Sequence, residues 1–525
     1  MQDAEVIIIG SGPAGVQAAT VLIAAGRSVM MIDGGKKAPA LPQAPDANFE
    51  DVRRNNQDQA RWFLGDDLSG IPVSGLTGGL GGGQVSGNRA NVVSGAREQL
   101  PITEENCQII QSLAEGGLGA AWGAACAVPE ESELTAMGLN AKDMQRHFDA
   151  VINDIGVSGP QIRGGIQPAL PPDLHASLAL ETYKKKQVSF EKKHISVMQP
   201  LSAILTQDND DRRASNLADM EYWSDPRRSV YRPQYTLEKL RSSHSFTYKG
   251  DLIVERIVSD TEGCTVHARR MSGGTESYRA KRVILAAGAV GSARIALQSV
   301  GLYDTPLPFA AKPHVFSACM HPATLGKTGP KSRSSLCQLL ILDDNVLSGV
   351  RSGCAQLYSY RSLMLFRLLG SQPLAYPEAM KILSMLTPSL VIADIRFPAF
   401  GDNGSVSLVR TKDGDSLRIT CRVPDAERDA RKHSWQRLKQ GLRMLGMLPL
   451  RNMELPEGSA SHYGGTLPMQ GTNRILTTDA RGKLRGLEHV SVADASVFPM
   501  LPAVPHTLTL MANARRIAEA VTEDL

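Results

Sequence analysis

A chain of 525 residues with 42% hydrophobic residues can bury a large core, and at about 100–200 residues per structural unit it holds two or three units rather than one. Lys and Arg number 57 against 53 Asp and Glu, and the resulting net charge of +4 is too small at this length to indicate a nucleic acid or another polyanion, so a small-molecule partner is expected. The seven cysteines, Cys107, Cys126, Cys264, Cys319, Cys337, Cys354 and Cys421, are odd in number, scattered and nowhere in a C-x-x-C spacing, which fits a reducing compartment and gives no zinc, iron–sulfur or redox-pair pattern.

The chain opens MQDAEVIIIGSG, an apolar run reached after two acids and without a basic n-region or a cleavage site, so the expected location is the cytoplasm. Residues 6–9 read as a strand that leads into Gly10-x-Gly12-x-x-Gly15, then an alanine-rich helix, then a second strand over 28–32 ending on Asp33. In such a βαβ unit the first glycine permits the tight turn, the second lets a pyrophosphate approach the backbone, and the third allows helix and strand to pack closely. Pro13 and Ala14 begin the helix, whose N-terminal N–H groups and dipole favour a phosphate, and Asp33 stands where ribose hydroxyls would bind. A G-x-G-x-x-G alone also describes a structural turn, but two flanking strands and an acid at the right offset favour a dinucleotide.

Further along, GLTGGLGGGQVSGN (75–88) reads as a loop or lid, since no strand-to-helix transition flanks it. Residues 134–159 have the amphipathic spacing of a helix. The segment DLIVERIV, followed by CTVHARR and SYRAKRVILAAGAVGSARIALQSVG, predicts a hairpin ending in a buried strand over 282–285, then Ala286-Ala287-Gly288 and a helix. No stretch approaches eighteen uninterrupted apolar residues, so no transmembrane segment is expected. RSLMLFRLLG (361–370) is the best candidate for peripheral membrane contact, and a buried core helix is its competing reading.

These segments resemble the glucose-methanol-choline (GMC) oxidoreductases. VILAAGA has the form of that family's second FAD segment, and EGGLGAAWGAACAVP (115–129) is similar to its glycine-rich flavin loop with a tryptophan. The chain's end, SHYGGTLPMQGTNRILTTDARGKLRGLEHVSVADASVFPMLPAVPHTLTLMANARRIAEAV, resembles the family's carboxy-terminal region along its whole length. The resemblance implies an α/β (α+β overall) fold with a Rossmann-like FAD-binding domain assembled from residues 1–160, 246–301 and 456–525. A substrate-binding domain built on a β-sheet would be inserted as residues 161–245 and 302–455. It also implies FAD as cofactor, with Gly117, Trp122, Val254, Ala287, Gly288, Asp494, Ala495 and Thr507 joining Gly10, Gly12, Pro13, Ala14, Gly15 and Asp33 around it. Some relatives attach the flavin through a histidine just before that tryptophan; here Ala121 stands there, so non-covalent FAD is expected.

His462 falls where the family places its catalytic histidine, and the resemblance implies that it accepts the hydroxyl proton as a CH–OH group gives a hydride to flavin N5. The family's second polar residue lies in an N-P-T-L turn. Here that turn reads VPHTLTLM, with Pro505 at the Asn position and His506 at the Pro position. Either His506 replaces the missing side chain or His462 works alone; the first is favoured, and a helix-capping His506 is the competing reading. The remaining histidines, including His147, His194, His267 and His433, show no H-x-x-x-H metal spacing and read as structural or exposed. The expected substrate is an alcohol or a sugar-like molecule, with sterol-like or aliphatic alcohols behind it; the electron acceptor stays open. So do a desaturase or monooxygenase of the same plan, a nicotinamide-dependent dehydrogenase, and a flavin-binding protein without activity.

Overall fold

The structure, a computed structural model, describes residues 3–38, 55–57, 87–161, 164–209, 211–217, 225–325, 327, 336–358, 373–469 and 474–525. The glycine-rich stretch 75–86 and the apolar stretch 361–370 lie outside the described residues.

The strand Ala4–Ile9 is an unbroken apolar run because it is buried on both faces. Val6 and Ile8 pack with Ala14, Ala18, Ala514 and Ile517 from the helices Pro13–Ala24 and Thr507–Glu523, whereas Ile7 and Ile9 join the cluster containing Ala293 and Leu297 of the helix Gly288–Val300. Around this strand a seven-stranded sheet forms. Phe246–Lys249, Val29–Ile32, Ala4–Ile9 and Thr275–Leu285 lie side by side and parallel. The long strand Thr275–Leu285 pairs its first half antiparallel with Cys264–Arg270 and its last residues parallel with Val490–Val492. Leu252–Ser259 completes the meander. The strand expected over 282–285 is therefore the buried end of a longer one, whose exposed half has the alternation of a hairpin.

A second sheet of six strands is antiparallel throughout, in the order Leu448–Glu454, His314–Met320, Leu390–Arg396, Val350–Tyr358, Leu339–Leu347 and Ile195–Met198. The helix Asp425–Met444 covers one face, with Leu438 and Leu442 against Ile341, Ala355 and Ile395. Register brings His314 opposite Arg396 and Arg396 opposite Cys354, and in the next row Phe316 opposite Asp394 and Asp394 opposite Gln356. These residues alternate with the helix-facing ones, so they share the other face of the sheet.

A smaller sheet joins Leu307–Pro308 and the hairpin of Gly404–Thr411 and Gly414–Cys421 to Ile102–Glu105 from the amino-terminal part of the chain. The helix Pro233–Arg241 sets Leu237 and Leu240 against the helix Pro13–Ala24.

Candidate active site

A cavity of about 350 Å³ lies between the carboxyl ends of the parallel strands and the polar face of the six-stranded sheet, the position where open α/β sheets bind their ligands. At its nucleotide end the glycines divide their work. Gly10 has φ +105°, and a Cβ there would sit 2.5 Å from the Ala286 carbonyl oxygen, so only glycine fits. A Cβ on Gly15 would lie 1.9 Å from the Gly10 oxygen. Gly15 is therefore the close contact of helix on strand that its place in the motif implies, set behind the residues that line the cavity. Gly12, Pro13 and Ala14 do line it, and a Cβ on Gly12 would meet nothing nearer than the Gly116 oxygen at 4.0 Å.

Asp33 ends the second strand and faces the cavity. Its Oδ2 accepts hydrogen bonds from Ser11 Oγ (2.5 Å), Tyr248 Oη (2.9 Å) and Gly35 N (3.1 Å), while Oδ1 accepts only a long one from Ser11 N at 3.3 Å among the described residues. Burial raises its carboxyl above the usual range in spite of these donors. Ser11 Oγ in turn accepts from Gly116 N at 2.8 Å, which ties the nucleotide loop to the glycine-rich segment. There Gly116 and Gly117 take left-handed φ values of +85° and +56° and open the short 3₁₀ turn Gly117–Ala121. Ala121 and Trp122 follow on the cavity wall, and Trp122 stands edge-on to Tyr231 at 6.4 Å.

Val254, Ala287, Gly288, Asp494, Ala495 and Thr507 also line the cavity. Val254 lies at a bulge in the outermost strand of the meander. The Asp494 carboxylate is taken up by the protein itself, accepting from Ser292 Oγ (2.6 Å), Ser496 N (2.9 Å) and Ser496 Oγ (2.5 Å), which fixes the Ala495–Val497 turn against the helix Gly288–Val300. The three helices that begin at the cavity, at Pro13, Gly288 and Thr507, have no side-chain hydrogen bond at their N-caps, whereas Asn140 and Asp173 cap helices elsewhere. Gly288 N–H is taken up by the Asp494 carboxylate, whereas the first-turn N–H groups of the helices at Pro13 and Thr507 remain available to an anionic or carbonyl group.

At the other end the structure brings together the two histidines singled out in the sequence. The rings of His462 and His506 meet edge to face with centroids 4.8 Å apart. Although His506 occupies the N-cap position of the last helix, its side chain makes no capping hydrogen bond. Arg396 Nη1 donates to His462 Nδ1 at 2.6 Å, and its Nε and Nη2 donate to Asp394 Oδ2 at 3.2 and 2.7 Å. Asp394 Oδ1 lies 3.3 Å from His314 Nδ1, and His314 Nε2 lies 3.0 Å from Ser459 Oγ. Behind His506, the wholly buried Lys312 sets its Nζ 3.4 Å from His506 Nδ1 and donates to the Val504 carbonyl at 2.9 Å. Burial pushes both imidazoles well below the usual histidine range, helped by Arg396 and Lys312, so both are neutral at pH 7.

The GMC oxidoreductase family matches residues 402–514, a stretch that holds both histidines, and the FAD binding domain family matches residues 3–50. The carboxy-terminal part of the chain thus resembles the GMC oxidoreductases, and its start resembles an FAD binding domain. Two relatives are uncharacterized GMC-type oxidoreductases. The one from Sinorhizobium fredii is 40% identical over 74 residues, which cover 13% of this chain and 15% of that protein, and the one from Mycobacterium tuberculosis is 41% identical over 61 residues, covering 12% and 10%. Solved structures extend the likeness to the whole fold. Pyridoxine 4-oxidase from Mesorbium loti superposes with a TM-score of 0.59 at 16% identity, covering 98% of this chain and 99% of its own. A formate oxidase variant from Aspergillus oryzae gives 0.60 at 11% identity, covering 99% and 98%. The FAD-binding match makes FAD the cofactor, and the residues present suit it: Gly10 and Gly12 leave room for a pyrophosphate, Asp33 Oδ1 can take a ribose hydroxyl, and the uncapped helix starts at Pro13 and Thr507 face the cavity.

Several residues in the cavity wall or directly behind it have no signal in the local sequence pattern. Ser11 and Tyr248, which hold Asp33, come from the nucleotide loop and from a strand 215 residues away. His314, one of the remaining histidines that the sequence reads as structural or exposed, lines the cavity beside Asp394. His147 is buried near Glu519, His267 bonds Ser277, and His194 and His433 are exposed, in keeping with their reading. Among the described residues no helix is long and apolar enough to cross a membrane, and no group of three metal-ligating side chains occurs.

Proposed function

We propose that this protein is an oxidoreductase of the GMC type that oxidises the CH–OH group of an alcohol or sugar-type small molecule, with non-covalent FAD as oxidant and the His462–His506 pair managing the hydroxyl proton. The division into a cofactor unit (1–160, 246–301, 456–525) and a substrate unit (161–245, 302–455) belongs to the same proposal. One observation carries the reading: two imidazoles in ring contact, at the cavity wall where an uncapped helix begins. The bound flavin would take the hydride. The chain must hold the substrate oxygen and remove its proton.

The contacts give the two rings different tasks. A guanidinium has only N–H groups to offer, so Arg396 makes His462 Nδ1 an acceptor and leaves the proton of neutral His462 on Nε2. In that form His462 donates an N–H to the substrate oxygen, and the acceptor of the hydroxyl proton is its partner His506. In this proposal the proton-accepting role expected for His462 passes to His506, and His462 becomes the hydrogen-bond donor of the pair. Anaerobic stopped-flow reduction against a panel of alcohols and sugars tests this. His462→Ala and His506→Ala should keep FAD and each slow flavin reduction by about 10²- to 10⁴-fold. The double variant should lose much less than the product of the two effects, because residues acting as a unit are not additive. Full-rate reduction in the double variant would end the alcohol-oxidation reading.

A further inference from the structure

We propose that Lys312 is the terminal acceptor of the hydroxyl proton, reached through His506; this rests on the alcohol-oxidation reading above. Lys312 is buried to 0% exposure and does not itself line the cavity. Its Nζ has two neighbours among the described residues: the Val504 carbonyl at 2.9 Å and His506 Nδ1 at 3.4 Å. No carboxylate lies within ion-pair distance of it among those residues. The nearest acids are engaged elsewhere, Asp394 by Arg396 and Glu133 by Arg351. A lysine so placed has no counter-ion to hold its charge, and its contacts match those of a free amine. One N–H is given to Val504, and the nitrogen lone pair faces Nδ1.

With Lys312 as a free amine, His506 carries its proton on Nδ1 and donates it to Nζ, which leaves the Nε2 lone pair free to accept. The reaction then balances. Bound FAD would supply the two-electron oxidant that takes the C–H hydrogen as hydride; the O–H bond breaks with its proton passing to His506 Nε2, and its electron pair forms the second carbon–oxygen bond. The proton on Nδ1 moves to Lys312, so His506 ends neutral in its Nε2–H form and Lys312 ends as an ammonium. The direction of transfer follows from the surroundings. Burial, then Lys312 and Arg396, hold the His506 imidazole well below its usual range, whereas Lys312 is lowered to about 7 by burial and Arg396, with Cys354, Glu133 and Asp394 acting the other way. Of the two, the amine binds the proton more tightly. Lys312 contrasts with Arg396 in this respect: the guanidinium keeps His462 a permanent donor, whereas the amine lets His506 change tautomer.

Lys312 touches neither substrate nor flavin in this scheme and is a positioning residue, so the test needs a readout other than turnover. In ¹⁵N-histidine-labelled holoprotein, the His506 resonances, assigned by their loss in His506→Gln, should report Nε2–H at pH 6 and Nδ1–H at pH 8.5. Lys312→Met should abolish the change, and Lys312→Arg should fix Nε2–H at every pH. Flavin reduction by substrate should fall about tenfold per pH unit below about 7 in the wild type. It should lose that limb in Lys312→Met and be at least about 10²-fold slower at pH 8 in Lys312→Arg. A wild-type His506 whose tautomer stays constant across this range overturns the proposal even if neither variant folds, and so does a change that persists in Lys312→Met. A tautomer change in a wild type that no alcohol reduces would refute the alcohol reading and leave the path from His506 to Lys312 supported.

Discussion

Gly12 and Gly15 stand three residues apart in one loop, yet the structure assigns them opposite sensitivities. A methyl group on Gly15 would lie 1.9 Å from the Gly10 oxygen and 3.0 Å from its carbonyl carbon. Restoring an ordinary contact of 3.4 Å requires the helix Pro13–Ala24 to retreat from the strand end by about 1.5 Å, and a backbone carbonyl has no rotamer through which to escape. Alanine is intrinsically better than glycine within a helix by about 1 kcal/mol. Overpacking a tight contact costs about 1–3 kcal/mol, and a clash with rigid backbone belongs at the upper end. The clash wins, and Gly15→Ala should destabilise the fold by about 1–2 kcal/mol. Gly12 has extended backbone that any residue adopts, φ −63° and ψ −179°, and open space beyond its Cα. Gly12→Val should therefore change stability by less than about 0.5 kcal/mol without cofactor and place two methyl groups where a pyrophosphate must approach. Thermal unfolding with and without added FAD, together with the flavin-to-protein absorbance ratio, separates the two. Gly15→Ala should unfold earlier under both conditions, whereas Gly12→Val should match the wild-type apoprotein and show no shift on adding FAD. Stoichiometric flavin in Gly12→Val, or wild-type stability in Gly15→Ala, would refute this division of roles.

Because Ala121 offers no nucleophile, acid precipitation should release FAD into the supernatant; flavin that stays with peptide after proteolysis would show a covalent link through another residue. Asp33→Ala removes the acceptor of Ser11, Gly35 and Tyr248 as well as the Oδ1 available to ribose. It should weaken FAD binding at least about tenfold by titration of the apoprotein, more than Tyr248→Phe, which loses one donor. Lys312→Met should be more stable than the wild type at pH 6. The folded-state value of Lys312, about 7 against an ordinary 10.5, lies below the unfolded one, so burial of the charge costs most below pH 7. That cost, at most ~5 kcal/mol, fades between pH 7 and 10.5, and denaturant midpoints measured from pH 6 to 10 should converge as pH rises.

The legible parts of this molecule are those whose determinants are consecutive in the chain. The strand before Gly10, the turn, the helix and Asp33 are one local unit, and the last helix begins at Thr507 as its turn residues imply. The His462–His506 contact could be anticipated only through a resemblance that sets two distant segments side by side. His314, Asp394 and Arg396 reach His462 by cross-strand register, and Lys312 is set beside the pair by its backbone N–H bond to the His462 carbonyl; no local pattern records either. A trace was nevertheless present. In SLVIADIRFP an acid and an arginine two apart interrupt an otherwise apolar strand, and two charges on one face of a buried strand require partners.

The same two charges explain why this strand keeps its register. Val391, Ala393 and Ile395 pack beneath the helix Asp425–Met444, and Ile392, Asp394 and Arg396 lie on the cavity face. A slip by one residue would drive a carboxylate and a guanidinium into the apolar cluster around Leu438 and Leu442, at a cost of several kcal/mol per unpaired charge. The Asp394–Arg396 pair therefore acts against the alternative pairing, and its cost in buried charge is offset by His314 and by the bond to His462. Position and chemistry are then set by one arrangement. The register that keeps these charges out of the core also aims Arg396 at His462 Nδ1, so the tautomer of that imidazole is fixed by how the sheet folds and not by solvent pH.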